Sequence, residues 1–123
     1  MSGFVSLEEV VEAYQRLAAR AVERPWYGRD GEGAFGCPLG VLVAARYGEV
    51  DLTAASHQIV AAALDLPPGF VRAFSHGFAE GRAYSNIEQT DDLQPWIREG
   101  QAVRAALLER GTDIRPLPGM GQA

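Results

Sequence analysis

Apolar residues recur every three or four positions over several segments of the chain, which is the spacing that one face of an α-helix produces. The first segment begins near Leu7, because Ser6-Leu7-Glu8-Glu9 has the form of a capping box, and it extends to Pro25. Because proline restricts the residue before it, we expect the first helix to end there. The apolar stripe of this helix consists of Val10, Tyr14, Leu17 and Ala21.

The most apolar segment covers residues 38–47 and carries Arg46 as its single charged residue. Pro38 fits the first helical position, where its missing N–H costs nothing, and Gly48 fits the end of a helix. A helix on the surface would show a polar face, which this segment lacks. We therefore expect a central apolar helix over 38–47, with the other helices packed around it.

Three further helices are predicted by the pattern. We expect them from Asp51 or Thr53 to Leu64, from Pro67-Pro68-Gly69 to Ala79, and from Asp91 or Asp92 to Arg110. The chain is rich in alanine, and we find no segment with the alternation typical of a strand. The pattern predicts an all-α fold, a compact single-domain bundle of about five helices over residues 1–113, with residues 114–123 as a loosely ordered tail.

The composition of the chain excludes several classes of function. All 11 basic residues are arginine, the formal net charge is -5, and there is one cysteine. Without lysine there is no Schiff-base or phosphate-loop lysine, and the acidic balance opposes binding to nucleic acids and anionic membranes. A single cysteine excludes an internal disulfide, and the longest apolar stretch is too short to span a bilayer. We expect a cytoplasmic protein without a cofactor.

Cys37 is one candidate for chemistry. It occupies the predicted N-terminus of the 38–47 helix, where free backbone N–H groups lower the pKa of a thiol. A thiol enzyme also needs a base, and His57 and His76 lie on other predicted helices. We favour a buried structural cysteine, and a thiol-dependent enzyme or small-molecule binder is an alternative. These three residues also lack the spacing of a metal site, so none is expected.

The stretch from Gln58 to Gly77, QIVAAALDLPPGFVRAFSHG, resembles the helix-turn-helix of small DNA-binding repressors. The resemblance implies a DNA-binding regulator whose second helix reads the major groove. Asp65 stands where that family has a turn glycine, and Arg72 and His76 are the only basic groups on the second helix. Because phosphate contacts usually require more arginine or lysine, DNA binding is a second alternative. The residues that carry the resemblance are the paired alanines, Leu66, Val71 and Gly77.

The glycine-rich stretch before Cys37 contains three aromatic residues, a residue type that often anchors interfaces. Since no catalytic set is assembled, the sequence favours a small non-enzymatic helical interaction protein. Its expected partner is a second copy of itself, as a homodimer, or another protein. The candidate binding residues are Trp26, Tyr27, Phe35, Cys37, His57, Arg72 and His76.

Overall fold

A computed structural model of the chain describes residues 4–23, 26–48, 50–81 and 91–115. The helices within these residues are α1 (Leu7–Leu17), α2 (Pro38–Tyr47), α3 (His57–Leu64), α4 (Pro68–Phe78) and α5 (Gln94–Glu109). The strands are β1 (Arg20–Val22), β2 (Tyr27–Asp30), β3 (Gly33–Gly36) and β4 (Ile114–Arg115). They form one mixed sheet of order β2-β3-β1-β4, in which β1 runs parallel to β3 and β4 and β2 runs antiparallel to β3. The all-α helical bundle is therefore wrong, and the chain has an α/β fold.

Strand β1 lies where we expected the first helix to continue. The helix ends at Leu17 because Ala18 adopts the left-handed conformation, with φ 51° and ψ 41°, and its N–H donates back to Gln15 and Tyr14. The chain then leaves the helix axis, so Ala21 pairs with neighbouring strands and is buried in the sheet. Pro25, which we expected to end the helix, lies outside the described residues.

The glycine-rich stretch forms the β2–β3 hairpin. Asp30 and Gly33 pair at its end, and the Asp30 carboxylate accepts a hydrogen bond of 2.8 Å from the backbone N–H of Glu32. Gly33 has a φ of +114°, a conformation that residues with a side chain rarely adopt. Gly36 lies against the backbone of Trp26, which leaves no room for a Cβ atom. These local requirements explain why glycines in this stretch build a hairpin.

Helix α2 has the bounds that the sequence predicts, and its residues 38–44 are buried. Helix α3 begins at His57, later than predicted, because the Ser56 hydroxyl accepts from the N–H of Ile59 as its N-cap. Asp51 instead accepts hydrogen bonds from the backbone and side chain of Thr53 in a turn. Helix α5 follows Leu93 rather than the two aspartates, with Pro95 in its first turn as expected.

Helices α4 and α5 pack with their backbones in close contact. Helices α4 and α5 cross at Gly77 and Gly100, where a Cβ on either glycine would overlap backbone atoms of the other helix. Ile114 and Arg115, the first residues of the expected tail, form β4, and residues 116–123 lie outside the described part of the chain. Within the described ranges, no helix is long and apolar enough to cross a membrane.

Candidate interaction surface

The three aromatic residues that we expected to anchor an interface lie in the core. Trp26, Tyr27 and Phe35 are each at most 8% exposed. The indole Nε1 of Trp26 donates a hydrogen bond of 2.8 Å to the carbonyl of Ala55, which attaches the start of the hairpin to the loop before α3. These side chains therefore hold the hairpin against the helices and present little surface to a partner.

Cys37 is the N-cap of α2 and is buried. Burial raises the pKa of the thiol to about 12 and outweighs the backbone N–H groups of Leu39 and Gly40, which act in the opposite direction. Its neighbour Tyr14 donates a hydrogen bond of 2.7 Å to the carbonyl of Gly36, and burial followed by the proximity of Cys37 raises the pKa of that phenol. A thiol in this environment is protonated at neutral pH, which favours a structural role.

The structure brings two of the predicted site residues near each other and leaves a third elsewhere. The pKa of His57 is lowered by partial burial and then by the charge of Arg72. His76 lies farther along α4, in a groove between α4 and α5. In the ranges that the structure describes, no group of three His, Cys, Asp or Glu side chains is placed to hold a metal ion. The predicted residues therefore do not form a single site.

The groove beside His76 has a volume of about 600 Å³, and both polar and apolar residues line it. Its principal charged residue, Arg104, donates hydrogen bonds of 2.8 Å to the buried Glu23 carboxylate and to the Phe78 carbonyl. A second carboxylate, that of Glu80, lies 3.5 Å from the same guanidinium. Because these groups are paired with each other, they connect β1 to α4 and α5, and this role is structural.

The two helices that resemble a helix-turn-helix are α3 and α4. Between them Asp65 adopts the left-handed conformation, with φ 57°, which glycine adopts most readily. Helix α4 would be the reading helix, but only its first two residues are exposed, and Arg72 and His76 are half-buried. This burial leaves few side chains to enter a DNA groove. The buried residues of α4 are Phe70, Val71, Ala73, Phe74, Ser75, Gly77 and Phe78.

Helix α3 has apolar residues on both of its sides. Its sequence, HQIVAAAL, contains no Asp, Glu, Lys or Arg. Val60, Ala61 and Leu64 are buried against the core. On the opposite side Ile59 is 56% exposed, Gln58 and Ala62 are exposed and Ala63 is half-buried. The exposed ring of Tyr47 is joined to this side by a hydrogen bond of 2.9 Å from its hydroxyl to the Ala63 carbonyl. We call Tyr47, Ile59, Ala62 and Ala63 the α3 face.

The α3 face was not among the residues that we expected to function. The signal in the sequence is a helix-forming segment without charge, in which apolar residues occupy positions on every side. The outer side of an amphipathic helix at the surface is polar, whereas the outer side of α3 carries one polar residue, Gln58, beside the apolar Ile59 and Ala62. Comparison with protein-family models, with curated proteins and with solved structures finds no match to this chain. We therefore infer the function from the structure, and in particular from the α3 face.

Proposed function

We propose that this chain is a non-enzymatic protein-interaction domain that associates with a second copy of itself through the α3 face. The observation that carries the proposal is the exposure of Ile59 and Tyr47, 56% and 64%, on and beside a helix without charged residues. Adjoining large apolar side chains that are exposed on a protein surface are typical of an interaction site. Association would remove this apolar surface from water, which is the main driving force for protein assembly.

The two alternatives from the sequence have less support. A thiol-dependent enzyme needs a thiolate, whereas burial raises the pKa of Cys37 to about 12. A DNA-binding regulator needs an accessible second helix, whereas most of α4 is buried. We also propose a cytoplasmic location, which suits a protein whose one cysteine is free.

The test compares two substitutions that place the same charge on different exposed apolar residues. Ile59→Arg changes the α3 face, and Leu108→Arg changes α5, where the leucine is 48% exposed. We expect the weight-average mass of the native chain and of Leu108→Arg to rise with concentration in the micromolar range in sedimentation equilibrium. Ile59→Arg is expected to keep the mass of a monomer, because a buried guanidinium without a partner is costly.

Circular dichroism and thermal unfolding of both variants check that each is folded. A native chain that remains a monomer throughout this concentration range would contradict self-association. If Ile59→Arg associated as strongly as the native chain, association would use a different surface, and the α3 face would have no part in it.

A further inference from the structure

The α3 face changes from large to small side chains along its length. Ile59 projects from the first half of α3, whereas Ala62 and Ala63, about one turn later, each present a methyl group. Beside Ala63 the ring of Tyr47 is fixed by the hydrogen bond from its hydroxyl to the Ala63 carbonyl. One end of the face therefore carries a large side chain, and the other end carries a small one next to an aromatic ring. The large end of one copy is complementary in shape to the small end of a second copy.

We propose that two copies dock with their α3 helices antiparallel across a two-fold axis, so that Ile59 of each copy packs on Ala63 and Tyr47 of the other. This inference rests on the proposed function and adds the arrangement of the contact. A two-fold axis at the level of Ala61, midway between residues 59 and 63, produces both contacts at once, as an isologous interface requires. Alanine at the contact lets the two helix backbones approach closely.

The distribution of charge favours a second copy at this position. The chain has a net charge of -5, so two copies repel each other where acidic surfaces meet. Helix α3 has no ionised carboxylate or arginine, and a contact centred on it avoids apposing like charges along the helix. In an antiparallel pair, the partly positive N-terminus of one helix lies beside the partly negative C-terminus of the other. A parallel pair would place like ends together.

The experiment is disulfide trapping with the native Cys37 retained, because that thiol is buried. Ile59→Cys and Ala63→Cys are prepared separately, one with a mass tag, and are oxidised alone and as a mixture with oxidised glutathione. A disulfide needs Cα atoms within about 7 Å of each other. In the proposed arrangement residue 59 faces residue 63 of the other copy, whereas two copies of residue 59 are offset by about 6 Å along the helix axis.

We expect a disulfide-linked dimer mainly in the mixture, between Ile59→Cys and Ala63→Cys. Glu12→Cys, at an exposed position of α1, is the matched control and is expected to remain a monomer. A second measurement does not depend on cysteine. Ile59→Ala and Tyr47→Ala are each expected to weaken association about tenfold, and the double variant by less than the product, since the two side chains contact each other across the axis.

Any other outcome would overturn the proposed antiparallel arrangement. Disulfides between two copies of Ile59→Cys, with association intact, would show parallel helices or an antiparallel pair with its axis at residue 59, and would leave the proposed function standing. The native chain could associate while the cysteine variants form no such disulfide and the alanine variants associate as tightly as the native chain. That result would place the contact on another surface. A native chain that does not associate would overturn the proposed function, and this arrangement with it.

Discussion

The hydroxyl of Tyr47 donates a hydrogen bond of 2.9 Å to the carbonyl of Ala63, which fixes the end of α2 against α3. The Ala63 carbonyl lies in the last turn of its helix, where backbone acceptors have no partner within the helix. The bond therefore supplies a missing partner and also restricts an exposed aromatic ring. A ring that is already ordered loses less conformational freedom when a partner covers it.

Removal of this hydroxyl is expected to affect association more than folding. Tyr47→Phe keeps the ring and loses the hydrogen bond, so the free energy of unfolding should fall by about 1 kcal/mol or less. Self-association should weaken about threefold, because the ring is no longer held in place. Urea unfolding and sedimentation equilibrium measure the two effects. A variant that associates as tightly as the native chain would show that the orientation of the ring is unimportant.

The crossing of α4 and α5 makes a prediction about Gly77 and Gly100. A Cβ at either position would overlap the backbone of the other helix, at Ile97 or at Phe74. Gly77→Ala and Gly100→Ala are each expected to lower the free energy of unfolding by about 3 kcal/mol, despite the better helix propensity of alanine. Denaturant unfolding measures the change.

The matched control for these substitutions is Gly69→Ala in the first turn of α4. Its Cβ would lie 3.6 Å from the Trp96 ring, which is an ordinary contact. We expect a neutral effect or a gain of about 0.5 kcal/mol from helix propensity. If all three variants had the same stability, the close helix crossing would be wrong.

Removal of one partner from the buried ion pair between Glu23 and Arg104 should cost much more stability than removal of one partner from an exposed pair of similar length. Glu23 is 4% exposed, and its carboxylate lies 2.8 Å from the guanidinium. Glu23→Ala leaves that guanidinium largely buried without its main partner, and we expect a loss of about 3 kcal/mol. Asp113→Ala breaks the exposed 2.9 Å pair with Arg115 and should cost less than about 1 kcal/mol. Equal losses in urea unfolding would contradict a structural role for the buried pair.

The raised pKa of Cys37 predicts how the free energy of unfolding depends on pH. Its pKa rises from 9.0 to about 12 on folding, so between these values the folded chain keeps a proton that the unfolded chain releases. The thiol's contribution is fully present below pH 9.0 and is lost as the pH rises toward about 12. The free energy of unfolding should fall over this interval by about 1.4 kcal/mol per pH unit for this one group.

Urea unfolding of the native chain and of Cys37→Ala at a series of pH values measures this slope. The comparison is clearest just above pH 9.0, because the pKa of Tyr14 is also raised from 10.0 and the phenol adds to the slope at higher pH. The slope should be shallower in Cys37→Ala, whatever the effect of the substitution on stability itself. Identical slopes, or alkylation of the native thiol as fast as that of the unfolded chain, would show that Cys37 is accessible.

Local signals in the sequence were sufficient to predict where some helices start. Helix α2 was predicted with its observed bounds, because Pro38 and Gly48 act within one turn of its ends. The start of α1 was likewise predicted from Ser6, whose hydroxyl accepts from the N–H of Glu9. The end of α1 was not predictable in this way, since Ala18 adopts a left-handed conformation that glycine normally signals.

The sheet was missed because its strands are short and two of its three pairings are parallel. Strand β1 has three residues, and its partners β3 and β4 follow at different distances along the chain. Ala21 also continues the helical stripe of α1, so periodicity alone favoured a helix. The dipeptide Asp30-Gly31 is typical of hairpin turns and was the available signal for β2 and β3. For α3, the sequence revealed a helix without charge, but which of its sides is covered depends on the packing of α2 and α4.

The most direct test of the account is the solution mass of the native chain as a function of concentration. Multi-angle light scattering over the micromolar range should show a rise from the mass of one chain, 13.3 kDa, toward twice that value. The rise should persist at high salt, because apolar contacts of α3 carry the association. A mass that stays at that of one chain at every concentration would contradict self-association through the α3 face.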